Sequence, residues 1–171
     1  MLEHKERLMR RRNFDYPDHS LEVRGGWIRV RDEGDRVTLA YKQLNDRTLH
    51  GTQEVSLTVE DFDRMVLLLE SVGFSQTSYQ ETKREKWLLD GVEVTIDTWP
   101  WVPSFIELEG PSEELVKSVA AKLEFNWDQA MHGSVENIYL MHYDVTELEV
   151  DMWPEITFIE VPEHIEAKRK S

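Results

Sequence analysis

The chain has 171 residues, no cysteine and a formal net charge of −14. Its length suits one domain, the want of thiols excludes disulfides and cysteine-ligated zinc and fits a reducing, cytoplasmic setting, and the excess of acid speaks against nucleic acid as the main partner. No apolar run reaches membrane-spanning length, and the charged start Met1–Arg12 has no apolar segment of a secretory signal, so no membrane partner is expected.

Residues 1–13 read as a basic arm. Pro17 and Gly25-Gly26 punctuate the text after it. Strands are predicted over Ile28–Arg31, over Val37–Leu44 after the turn Glu33-Gly34-Asp35, and over Gln53–Val59. The period then changes. Phe62, Met65, Val66, Leu69 and Val72 recur at helical spacing within Glu60–Val72, and Gly73 is a stop signal. Tyr79–Leu89 reads as a long polar strand, joined by an Asp90-Gly91 hairpin turn to a strand over Val92–Asp97. Trp99, Trp101 and the neighbouring prolines read as a rigid loop. Ser104–Glu109 is a further strand, and Ser112 opens a helix to Leu123. Ser134–His142 is a short helix, and the tail 144–171 holds one apolar stretch, Ile156–Val161, before a charged end expected to fray. Strands in groups, with helices between the groups and no repeat, predict an α+β domain built on an antiparallel meander or barrel.

Residues two apart on a strand share a face. Arg29 and Arg31 therefore point one way, as do Glu93, Thr95 and Asp97, then Phe105, Glu107 and Glu109, then Glu54 and Ser56. Lys42 falls with Thr38 and Ala40. A solvated outer face accounts for any one of these strands. A polar interior accounts for them together, with the apolar faces covered by helices. The chemistry of such an interior is definite: Arg and Lys neutralise a polyphosphate, and carboxylates beside them suit hard divalent cations that bridge phosphate oxygens. The six histidines are scattered without metal-ligand spacing, and Gly25-Gly26 lacks the rest of any phosphate-loop fingerprint.

Several segments resemble the CYTH family of class IV adenylyl cyclases and triphosphate tunnel enzymes. Trp27-Ile-Arg-Val-Arg-Asp-Glu-Gly34 is similar to its Leu-Arg-hydrophobic-Arg strand, and Thr38-Leu-Ala-Tyr-Lys42 to the next strand, which ends in lysine. Glu54–Val59 with the helix to Gly73-Phe74, then Lys83-Arg84-Glu85, then Asp97 and Phe105-Ile-Glu-Leu-Glu109, follow in the family's order over residues 14–143. The resemblance implies one domain over 1–171 built as an antiparallel β-barrel, the triphosphate tunnel, with helices packed outside. It implies phosphate contacts from Arg29, Arg31, Lys42, Lys83 and Arg84. Glu54, Asp97, Glu107 and Glu109 would hold or orient Mg²⁺ or Mn²⁺. The substrate would be ATP, tripolyphosphate or another triphosphate, cyclised or hydrolysed.

Departures from the family pattern are also legible. No Glu-x-Glu-x-Lys strand opens the match, so an incomplete barrel is expected, from a truncated or mis-started product, with an open edge left for Met1–Arg12, the tail around Ile156–Val161 or a second copy (a homodimer) to cover. Ser56 stands where a second Glu is common, Thr82 where a Lys is, and Met141-His142-Tyr143 where Lys-Ser-Tyr is. These departures leave a non-catalytic nucleotide or polyphosphate module as the alternative function.

Overall fold

The computed structural model describes residues 1–44 and 52–170. His50, one of the scattered histidines, lies outside them. Two compact units divide the chain. One, here the α1 unit, comprises residues 8–81 and 152–157; the other, the α2 unit, comprises 1–7, 82–151 and 158–171. The strands are β1 Leu2–Asp15, β2 Gly26–Asp32, β3 Val37–Leu44, β4 Thr52–Val59, β5 Ser75–Leu89, β6 Val92–Thr98, β7 Phe105–Glu109 and β8 Glu155–Ile156. Their hydrogen-bonded order is β4-β3-β2-β1-β5-β6-β7, with β8 joining β5. Among the described residues the order ends at β4 on one side and β7 on the other. The class is α+β, as the strand and helix spacing predicts.

In the α1 unit, β2 pairs antiparallel with β1 and β3, and β3 with β4. Helix α1, Phe62–Ser71, begins where the Asp61 side chain accepts from the Arg64 N–H at 2.7 Å. Its stripe of Phe62, Val66 and Leu69 packs on Phe14 and Val30, with Ile28, Val37 and Leu39 at the margin. Burying side chains of this size is worth about 1.5–3 kcal/mol each. That core occupies one sheet face, so the residues of opposite parity must face the other way.

In the α2 unit, β5, β6 and β7 form antiparallel pairs. Asp90 and Gly91 turn the β5–β6 hairpin with φ of 52° and 83°, the doubly left-handed geometry of a tight two-residue turn. Helix α2, Glu113–Lys122, is capped by the Ser112 hydroxyl at the Leu115 N–H, 3.3 Å away. Val119 packs on Val92 and Val94, with Leu108, Leu115 and Leu123 around them. Gly110 permits this approach, since a Cβ there would come within 3.0 Å of both Val92 and Val116.

Two expectations are corrected. Residues 1–13 are not an arm: they form most of β1, which lies between β2 and β5, so an opening strand is present in the sheet interior. A 3-10 turn over Glu22–Arg24 connects it to β2 in place of a full helix. The run Arg10-Arg11-Arg12 hides the alternation. Arg10 and Arg12 lay their guanidinium groups over the rings of Phe62 (4.3 Å) and Tyr79 (5.1 Å), so their stems serve on the apolar face where β-formers would be expected. Nor is the C-terminal tail frayed over its described residues. β8 pairs in parallel with Tyr79–Gln80 of β5. Farther on, the Asp144 N–H donates to the Lys168 carbonyl at 2.7 Å, and the Lys170 N–H to that of His142 at 2.9 Å.

Candidate active site

The α1 unit carries a cationic sheet face. Register places Arg11 opposite Arg31 and Asn13 opposite Arg29, then Ala40 opposite Arg29 and Glu54 opposite Lys42. Residues directly opposite share a face, so Arg11, Arg29, Arg31, Lys42 and Glu54 lie together, on the side away from α1. The Lys42 ammonium meets Glu54 at 2.9 Å, and Arg29 reaches the same carboxylate at 3.8 Å. The side chains of Arg29, Lys42 and Arg31 are only 12%, 19% and 23% exposed. Burial pulls the Lys42 ammonium below the usual lysine range, the Arg29 charge pushes it further down, and Glu54 offsets only part of this.

Arg31 has a partner the sequence reading missed. Its Nε and Nη2 both donate to Glu33 Oε1, at 2.9 and 2.5 Å, while Arg36 donates to Oε2 at 2.8 Å. Burial alone would raise the Glu33 carboxyl; the charges and hydrogen bonds of Arg31 and Arg36 outweigh it and hold the group below its ordinary range. Glu33 reads in sequence as part of a polar turn, so nothing in the text marks it as the clamp on a site arginine.

The α2 unit carries a mixed face richer in acid. Register sets Arg84 opposite Asp97, Thr95 opposite Glu107, and Glu93 opposite Glu109. Arg84 donates twice to Asp97, at 2.5 and 2.8 Å, and once to Glu107, at 2.8 Å. Asp97 is 1% exposed and also accepts from the Thr95 hydroxyl at 2.8 Å. Lys86 bridges Glu93 and Glu3, so the start of β1 contributes a carboxylate here. Burial and the Asp97 charge push the Glu107 carboxyl up to about 7, against the opposing pull of Arg84.

Each predicted site residue can now be placed. Arg29, Arg31, Lys42 and Glu54 share one face of the α1 unit. Arg84, Asp97, Glu107 and Glu109 share one face of the α2 unit. Lys83 does not join Arg84: it has the opposite parity and sits 5.1 Å from the centre of the Phe158 ring. Glu33, Lys86, Glu93 and Glu3 are additions from the structure. The loop between β6 and β7 is pinned as expected, with the hydroxyls of Tyr139 and Tyr143 donating to the carbonyls of Pro100 and Trp101, each at 2.9 Å. Asp15, His19 and Glu22 form a further compact group with metal-ligand types. Asp15 there already accepts the backbone N–H groups of Tyr16, Leu21 and Glu22, which makes it the brace of its own turn.

The donor set on β6 and β7 fits a hard divalent cation. It consists of oxygens alone, and a cation among these carboxylates would offset the burial and the Asp97 charge that lift Glu107. The CYTH domain profile matches residues 1–138, and the chain belongs to the CYTH domain family. The match starts at residue 1 and so includes β1.

Similar solved structures agree on the fold. A conserved hypothetical protein from Pyrococcus furiosus is 19% identical with a TM-score of 0.61, over 80% of this chain and 86% of that one. A Vibrio parahaemolyticus protein described as a candidate adenylate cyclase is 14% identical with a TM-score of 0.65, over 80% and 82%. A Hippeastrum protein described as a candidate adenylyl cyclase with a dominant triphosphatase activity is 17% identical with a TM-score of 0.51, over 70% and 74%. No curated protein matches the chain.

Proposed function

We propose that this protein binds a triphosphate together with Mg²⁺ or Mn²⁺ and acts on it by phosphoryl or nucleotidyl transfer. The observation that carries this reading is the cationic face around Lys42. A lysine, three arginines and one carboxylate share it, and the ammonium is driven below its usual range by burial and by the Arg29 charge. Glu54 and Glu33 meet part of this charge, and a polyanion would supply more. Arg29, Arg31 and Lys42 are the phosphate contacts offered by the α1 unit in this reading, and Arg84 is the one offered by the α2 unit.

In the α2 unit Glu107 and Glu109 would hold the metal and Asp97 would orient Arg84; in the α1 unit Glu54 would orient Lys42 and Arg29. A hard divalent ion withdraws charge from phosphoryl oxygens when bound. The chain's own part is to neutralise and orient the phosphates and to keep Arg84 aimed through its paired bonds to Asp97. Hydrolysis of a terminal phosphate and cyclisation of ATP to cyclic AMP and pyrophosphate are both within this chemistry. The likeness to the Hippeastrum and Vibrio proteins supports the pair of reactions without choosing between them.

One observation favours a second reading, a non-catalytic polyphosphate module. Both oxygens of Asp97 are engaged by Arg84, and Ser56 faces the cationic cluster where a second acid is common in the family. Product analysis by phosphorus NMR, with ATP and with tripolyphosphate in Mg²⁺ or Mn²⁺, separates the two. Turnover of either substrate supports the enzyme. Metal-dependent binding without turnover supports the module, and no binding of either defeats both.

A further inference from the structure

β1 fills the place where an open edge was expected, and β4 ends the strand order instead, with β3 as its partner among the described residues. Residues 53–58 are exposed on both faces of the strand. Val55 and Leu57 are 65% and 60% open, on the apolar face that carries Tyr41 and Leu39 opposite them. Neither belongs to the core under α1. Asp63 of that helix reaches Arg10 of β1 at 3.6 Å, so helical spacing turns Leu68 and Val72 to the opposite flank, where they stay 52% and 64% exposed. A row of apolar side chains beside the open backbone of an end strand is a template for pairing.

Edge strands are commonly blunted by Lys, by Pro or by a bulge. β4 reads Thr-Gln-Glu-Val-Ser-Leu-Thr-Val, with neither Lys nor Pro, and its register with β3 runs unbroken from Thr52 to Val59. Its one charge, Glu54, is already met by Lys42 at 2.9 Å and Arg29 at 3.8 Å. The chain as a whole carries −14, so two copies repel each other in most orientations. At β4 that repulsion is absent, and a basic partner finds no free carboxylate on the strand to hold it. A strand that pairs antiparallel with its own copy does so about a twofold axis. Centred on Ser56, the operation sets Val55 opposite the second copy's Leu57, and Glu54 opposite the second copy's Thr58. Apolar face then continues into apolar face, and no carboxylate meets another. The same operation on β7, centred on its middle residue, sets Glu107 against Glu107.

We infer that β4 is a dimerisation edge: two copies of this chain pair β4 with β4, antiparallel about Ser56. Val55 and Leu57 form the apolar seam, with the Leu68 and Val72 flank of α1 beside it. The inference stands apart from the triphosphate reading, since it uses the opposite sheet face and the strand backbone.

Size exclusion with light scattering on the full chain tests it. The wild type has twice the 20.2 kDa mass of one chain and dissociates on dilution in a single equilibrium. Val55→Lys and, separately, Leu57→Lys weaken the dimer at least tenfold, because each puts two ammonium groups into the seam. Both positions are exposed and outside the core, so the variants fold, which circular dichroism checks. Leu67→Lys, 63% exposed but on the Asp63 flank of α1, leaves the dimer within twofold of wild type. The register has its own readout, because the chain has no cysteine. Ser56→Cys joins two copies on mild oxidation, since the twofold axis brings its two Cα atoms within disulfide reach. Val23→Cys, 83% exposed and away from β4, does not. A wild type that stays monomeric, a dimer indifferent to both β4 lysines, or cross-linking through Ser56→Cys no better than through Val23→Cys overturns the proposal.

Discussion

Replacing Arg84 with methionine removes the counter-charge of the most deeply buried carboxylate on the acidic face. The guanidinium makes paired bonds of 2.5 and 2.8 Å to Asp97, which is 1% exposed. Methionine keeps much of the stem's packing and takes away the charge. Thr95 then remains as the partner of Asp97, at 2.8 Å. Breaking a buried pair from one side costs about 3–5 kcal/mol. Arg84→Met should therefore lose about 3–5 kcal/mol at pH 7. With a urea slope of about 2 kcal/mol/M, the midpoint falls by roughly 1.5–2.5 M. Adding Asp97→Leu to the variant removes the stranded charge and should recover most of the loss. Equilibrium urea unfolding of the single and double variants measures all of this. A loss under 1 kcal/mol, or no recovery in the double variant, would refute the claim that Arg84 and Asp97 are a mutually dependent buried pair.

Glu107 makes stability fall with pH: its folded carboxyl is raised to about 7 from an ordinary 4.5, so the unfolded chain releases the proton first and the group's contribution is lost as pH rises from 4.5 through 7. Glu107→Gln should flatten that slope in thermal unfolding scans, and an unchanged slope would contradict the assignment. For the wild type, Mg²⁺ affinity by calorimetry should climb through the same window, because the ligand form is the carboxylate. Lys42→Met should weaken tripolyphosphate about tenfold or more while stability holds or rises, since it removes a strained cation; a stability loss beyond 2 kcal/mol would show that the lysine is structural. Glu33→Gln leaves Arg31 and Arg36 with a weaker acceptor and should cost about 1–3 kcal/mol of stability, with polyphosphate affinity falling because Arg31 is no longer aimed. Affinity that is unchanged in that variant removes Arg31 from the phosphate contacts.

The parts of the fold that were legible in sequence are those where one period dominates. Val37–Leu44 and the stripe Phe62, Val66, Leu69 have a clean apolar phase and caps or stops at their ends, and the structure follows them closely. β1 was illegible because arginines occupy both of its phases, with ring-stacked stems doing the packing that Val or Ile would advertise. The face-sharing of Arg29 with Lys42 and Glu54 followed from parity and motif. The clamp by Glu33 did not, because it runs from a turn back to a strand and has no periodic signature. The resemblance implies Lys83 together with Arg84, and strand parity separates the two.

Titration of the full chain with tripolyphosphate, with Mg²⁺ or Mn²⁺ present and then chelated, tests the central claim most directly. The account predicts saturable binding with the metal, at least tenfold weaker without it, and reduced by Arg29→Ala with the metal dependence retained. Binding that is indifferent to the metal, or no binding under either condition, would contradict it.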